Sequence, residues 1–117
     1  MPSDLNRFRS LAESYFAHFH QGELSGLREL FAPEITLTDW TGHWQGREAV
    51  LATNAAILEN KPAVDVLEIV ATPLALAPGG RTYCKIQVRI GDQTLKVLDV
   101  IDWTPDGKIT ALEAFLG

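Results

Sequence analysis

The chain has 117 residues, 46% of them hydrophobic, and a formal net charge of -5. That length suits one domain over residues 1–117, burying roughly two-thirds of its unfolded surface, and excludes a second. The basic residues are scattered singly, which argues against a nucleic-acid partner, because phosphate binding needs clustered cations. A single cysteine, Cys84, excludes an internal disulfide and a thiolate-rich metal site, and suits a reducing compartment. The first ten residues lack a signal-peptide core and no run of about 20 apolar residues occurs, so a cytoplasmic protein with no membrane partner is expected.

Leu5, Phe8, Ala12, Tyr15, Phe16 and Phe19 recur at three- and four-residue steps, predicting a helix that starts near Ser3, its candidate cap, and stops at Gly22. Leu24, Leu27, Leu30 and Phe31 predict a shorter second helix ended by Pro33. The chain then alternates: Ile35, Leu37 and Asp39 on one side of a short strand, Thr36, Thr38 and Trp40 on the other. A loop over 41–46 leads into a third helix from Arg47 to about Asn60, followed by Pro62. From Val64 onward the chain is β-branched and broken by turns at 77–80, 91–92 and 104–107, giving four long strands. The order α-α-β-α-β-β-β-β predicts an α+β domain whose mainly antiparallel sheet twists into a cone around the helices and leaves an apolar pocket.

Three polar groups break the apolar pattern. Asp99 shares a strand face with Leu95, Val97, Ile101 and Trp103, and Asp39 follows Ile35 and Leu37 on the first strand. Tyr15 stands in the middle of the first helix's apolar stripe, carrying its hydroxyl inward. Two inward acids and an inward phenol form a proton-transfer set: a carboxylate acts as base, while a phenol and a neutral carboxylic acid donate to an oxyanion. The structural alternative is that the acids lie at sheet ends in water and the tyrosine satisfies one backbone group.

The stretches 15–19, 22–27, 30–33, 38–42 and 99–109 together resemble the ketosteroid isomerase and SnoaL-like polyketide cyclase superfamily, which shares the nuclear transport factor 2 and cystatin-like fold. The resemblance covers nearly the whole chain. It implies a catalytic base at Asp39, an oxyanion-donating tyrosine at Tyr15 and a proton-donating acid at Asp99. It departs from the isomerase at Trp40, which replaces a proline, and Trp44 and His43 crowd the same loop. The family register also turns Tyr83, Lys85 and Gln87 into the pocket and Cys84, Ile86, Val88 and Ile90 onto the outer face. A one-residue shift would swap the two sets. With the family register, the exposed apolar row predicts a homodimer through the sheet.

The remaining residues carry weaker signals. His18, His20 and His43 lie off the long strands, and the first two are spaced too poorly to hold a metal. Cys84 reads as a buried, inert thiol, and no phosphate loop or dinucleotide fingerprint occurs, so neither metal nor other cofactor is expected. The expected function is binding of a small hydrophobic or amphiphilic molecule, with cofactor-free proton transfer of the isomerase or cyclase type by Asp39, Tyr15 and Asp99. The expected pocket lining is Phe19, Trp40, Trp44, Tyr83, Lys85, Gln87, Val97 and Ile101. The rival is a noncatalytic ligand-binding or dimerisation module.

Overall fold

The computed structural model describes the backbone of residues 2–117 and the side chains of residues 5–117, so the cap expected at Ser3 lies outside the described side chains. Helix α1, Pro2–Gln21, buries Phe8, Ala12, Tyr15 and Phe16 along one stripe. Each large side chain removed from water there contributes on the order of 2–3 kcal/mol. The helix ends where Gly22 takes φ +72°. Gly22 N–H then bonds Phe19 O and Glu23 N–H bonds His18 O, closing the last turn with a paired C-cap.

Helix α2, Leu24–Leu30, is shorter than the sequence pattern suggests. Phe31 through Pro33 already belong to strand β1, Phe31–Asp39, where Phe31 and Ala32 are buried and Pro33 is exposed. The expected 41–46 loop holds a second short strand, β2, Gly42–Gln45, folded back antiparallel on β1. Helix α3, Arg47–Leu58, follows, and then β3, Ala63–Pro73, β4, Gly80–Ile90, β5, Gln93–Trp103, and β6, Ile109–Leu116.

These strands make one mixed sheet in the order β2-β1-β6-β5-β4-β3, parallel only between β1 and β6. A bulge around Leu67 in β3 and register breaks where β6 meets β1 and β5 bend the sheet. Helix α1 packs on β3 and β4, and α3 packs on β1 and β2. Architecture and fold class are thus as the sequence predicts, with β2 added.

The expected register of β4 is overturned. Cys84 pairs with Asp99, Ile86 with Val97 and Val88 with Leu95, and directly paired residues share a face. Cys84 and Ile86 are buried inside while Tyr83 and Lys85 are exposed outside, with Gln87 on their side. Alternation offers two faces, and burial selects between them: desolvating Lys85 and Gln87 would cost more than leaving them in water. The outer row predicted from Cys84, Ile86, Val88 and Ile90 therefore does not exist.

The two ends of the curved sheet differ. At one end Phe8, Phe31, Ile35, Ile101, Trp103 and Ile109 are buried together in the hydrophobic core. Trp103 Nε1 donates to Thr82 Oγ1 at 3.0 Å, so this core also satisfies its own polar groups. At the other end, where β4 passes into β5, the sheet stays open.

Candidate functional site

The open end encloses a cavity of about 760 Å³, within the range of small-molecule sites. Phe16 and Phe19 of α1 form one wall, Ile86, Val88, Leu95 and Val97 of β4 and β5 another. From α3 come Ala49, Ala52 and Ala56, small side chains that leave room where larger ones would fill it. Trp40 and Trp44 stand at the rim; Trp40 is 49% exposed.

Tyr15, Asp39 and Asp99 all line this cavity. They arrive from three elements. Pairing places Asp99 of β5 beside Ala114 of β6, and Thr38 of β1 lies beside Glu113. Continuing that register by one residue sets Asp39 next to Ala114 on the other side. The two acids therefore flank one methyl group in a cross-strand row, with backbones roughly 10 Å apart across two strand spacings.

Their surroundings differ. Asp39 ends β1 where the chain turns, and its Oδ1 accepts from Thr41 N–H at 2.7 Å, Thr41 Oγ1 at 2.7 Å and Gly42 N–H at 3.1 Å. Oδ1 is thereby held as an acceptor, and Oδ2 is the atom free for chemistry. Asp99 is half-buried among apolar neighbours; burial, reinforced by the charge of Asp39, pushes its carboxyl up to about 7. Tyr15 is 5% exposed. Its phenol is raised well above its ordinary value by burial first, then by Asp99 and Cys84, which keeps the proton on oxygen. Burial pushes the Cys84 thiol up to about 12, so it is inert at neutral pH.

Of the other expected lining residues, Phe19, Trp40, Trp44 and Val97 are in place. Ile101 is not: it is fully buried in the packed end, two residues beyond Asp99, where the cavity has closed. Tyr83, Lys85 and Gln87 lie on the opposite face of the sheet, so no lysine stands beside Asp99. Trp103 is packed core as well. The histidines have surface tasks. His18 Nδ1 pairs with Glu23 at 2.9 Å, His20 Nδ1 accepts from Val64 N–H at 2.9 Å, and His43 Nδ1 bonds Thr38 Oγ1 at 2.6 Å. Among the described residues no cluster of three or more metal-ligating side chains occurs, and no helix is long and apolar enough to cross a membrane.

Sequence reasoning missed Asn54. It is 2% exposed, lines the cavity from α3, and its Nδ2 has no hydrogen-bond partner. An unpaired buried amide costs about 1–3 kcal/mol. The available signal was a polar residue one turn after Val50 and Leu51 in the helix's buried stripe.

The fold of the chain is widely shared. A candidate ketosteroid isomerase from Kribbella flavida superposes with a TM-score of 0.82 at 18% identity, covering 97% of this chain and 80% of that one. An NTF2-like protein of unknown function from Pseudomonas putida gives 0.85 at 12% identity, covering 98% and 87%. The epoxide hydrolase/cyclase-like enzyme SalBIII, which has a role in pyran ring formation in the polyether salinomycin, gives 0.78 at 16% identity, covering 97% and 93%. No curated protein matches the sequence significantly. At these identities the structural likeness speaks for the fold alone, but residues 12–112 also match the family described as the SnoaL-like domain, and it is to the SnoaL-like family that this chain belongs.

Proposed function

We propose that the chain is a cofactor-free acid–base enzyme that moves a proton within a small, apolar, enolisable carbonyl compound. The observation that carries this reading is that Asp39, one residue beyond the Thr38–Glu113 pair, and Asp99, paired with Ala114, line one apolar cavity with their carboxyls in unlike environments. Asp39 Oδ2 takes a proton from the carbon beside the carbonyl. The C–H electron pair becomes a C=C bond and the carbonyl π-pair moves onto oxygen. Tyr15 and neutral Asp99 donate hydrogen bonds to that oxygen, and protonated Asp39 returns the proton to the same or a conjugated carbon.

Support comes from the Tyr15 phenol, held protonated, from Asp99, neutral below about pH 7, and from Oδ1 of Asp39, anchored by Thr41 and Gly42. Proteins that share the fold include a candidate ketosteroid isomerase and an epoxide hydrolase/cyclase-like enzyme, which is consistent with this class of chemistry. The test is deuterium uptake at the α-carbon of 1-tetralone in D2O, followed by proton NMR. Wild-type protein should accelerate it, and Asp39→Asn should remove on the order of 10²–10⁴-fold of that rate. Equal exchange by the variant sinks Asp39 as the base. Binding without any acceleration by wild type leaves a ligand-binding module instead.

The proposal extends to assembly through the outer sheet face. There Val70 pairs with Tyr83 and Tyr83 with Val100, and Leu98 pairs with Phe115, while Val70, Tyr83 and Phe115 are 46%, 37% and 51% exposed. This row, not the one expected from β4 alone, is the surface we assign to a second copy. Phe115→Glu should shift sedimentation from dimer to monomer; a monomeric wild type ends that assignment.

A further inference from the structure

We infer that Asn54 is a ligand contact, its amide donating to a second oxygen function on the molecule in the cavity, besides the carbonyl that faces Asp39 and Asp99. The inference rests on the cavity being a ligand site, and it does not depend on a proton being moved there.

Three observations lead to it. First, Asn54 is as buried as the surrounding core, at 2% exposure, yet its Nδ2 has no partner. Buried polar groups in folded proteins are nearly always paired, so an orphan marks a place where something else binds. Second, the fold solves the same problem internally at Trp103 Nε1, matched to Thr82 Oγ1, and the other buried side-chain atom without a partner among the described residues, Arg47 Nε, does not line this cavity. Third, Asn54 lines the cavity from a helix whose other contributions there are Ala49, Ala52, Thr53, Ala56 and Ile57. Nδ2 is shut off from the space as the side chain stands, and the broad terminal amide torsion lets the amide turn toward it. The Thr53 hydroxyl is the other polar side-chain group that this helix brings to the lining.

The position selects the chemistry. Tyr15 of α1 and Asp99 of β5 take the carbonyl oxygen, so Asn54, on α3 against the strand β1 that carries Asp39, is left to address a further oxygen of a bound molecule. A primary amide donor recognises an ether, carbonyl or hydroxyl oxygen. The ligand class is therefore an apolar ring system that carries a neutral oxygen acceptor in addition to its ketone.

The test compares 1-tetralone with 6-methoxy-1-tetralone, which adds one acceptor opposite the ketone, by NMR titration. Wild type should bind the methoxy compound roughly fivefold more tightly, the worth of one neutral hydrogen bond. In Asn54→Leu the ratio of the two affinities should fall to about one; Asn54→Ala carries the same test if the leucine variant fails to fold. In wild type labelled with ¹⁵N, the Asn54 side-chain amide resonance should move more with the methoxy ketone than with its parent. A ratio near one in wild type, or a ratio kept in the variants, overturns the inference. Failure of both ketones to bind wild type overturns it together with the ligand-site reading. An Asn54-dependent ratio without Asp39-dependent deuteration upholds Asn54 and sinks only the proton transfer.

Discussion

The rim and the floor of the cavity each hold one aspartate, and the sheet places both in the same cross-strand row. At the rim, Asp39 terminates a strand, and the turn that follows supplies three donors to one of its oxygens. At the floor, Asp99 sits mid-strand between Val97 and Ile101, where every backbone group is spent on the ladder and the neighbours are apolar. The same side chain is thus a fixed acceptor at a strand end and a proton-holding acid at a strand centre. Position along a strand decides which donors a carboxyl can reach, and in the proposed reaction that difference is what separates the base from the acid.

The largest effect that would break this contrast concerns the floor. Between the ordinary carboxyl value of 3.8 and about 7, folded protein holds a proton on Asp99 that unfolded chain has lost. Stability from this group therefore falls as pH rises through that window and stays low above it, by on the order of 4 kcal/mol at about 1.4 kcal/mol per unit. Asp99→Asn should be more stable than wild type at pH 8.5, with the advantage shrinking toward pH 4, as urea denaturation at both values would reveal. Ketone deuteration by wild type should decline as pH passes 7, whereas the variant, slower throughout, should lack that decline. A difference between the two proteins that does not change with pH would mean that Asp99 is an ordinary solvated acid.

Next in size is the gap between the two acids. Ala114 keeps it open, and a larger side chain there would stand where the substrate must lie to meet both carboxyls. Ala114→Leu should lower ketone deuteration by about 10²-fold, the scale of a misplaced reactant. Because the added atoms enter a cavity instead of packed core, the melting temperature should hold or rise. Undiminished exchange would show that substrate does not span the row, and the two acids would then act separately or not at all.

Much of this arrangement was legible in the sequence. Helix α1 shows its stripe because 3.6-residue periodicity survives over twenty residues, and Asp99 betrays itself by interrupting an apolar strand face. The β4 register was not legible. Tyr83, Lys85 and Gln87 alternate with Cys84, Ile86 and Val88, and alternation separates two faces without saying which one the helices cover. That choice is made by long-range burial, and the family register pointed the other way. Strand β2 spans only four residues, too short for a period to show. Ile101 has the right face for the cavity but the wrong depth, a coordinate that strand patterns do not encode. Ala114 gives no signal at all, since its importance lies in what stands on either side of it in space.

The finest adjustment belongs to the rim. Thr41 contributes two of the three donors on Asp39 Oδ1, one from its backbone and one from its hydroxyl. Thr41→Val keeps the β-branched shape and the backbone N–H and deletes only the hydroxyl, so the carboxylate retains two donors. The loss in ketone deuteration should be roughly three- to tenfold, the worth of one hydrogen bond to a charged group discounted for exposure. Thr41→Ser should restore most of it. A loss as large as that of Asp39→Asn would mean that the hydroxyl alone aims the base. No loss would mean that the two backbone donors suffice, and that the end of a strand is already enough to orient a carboxylate.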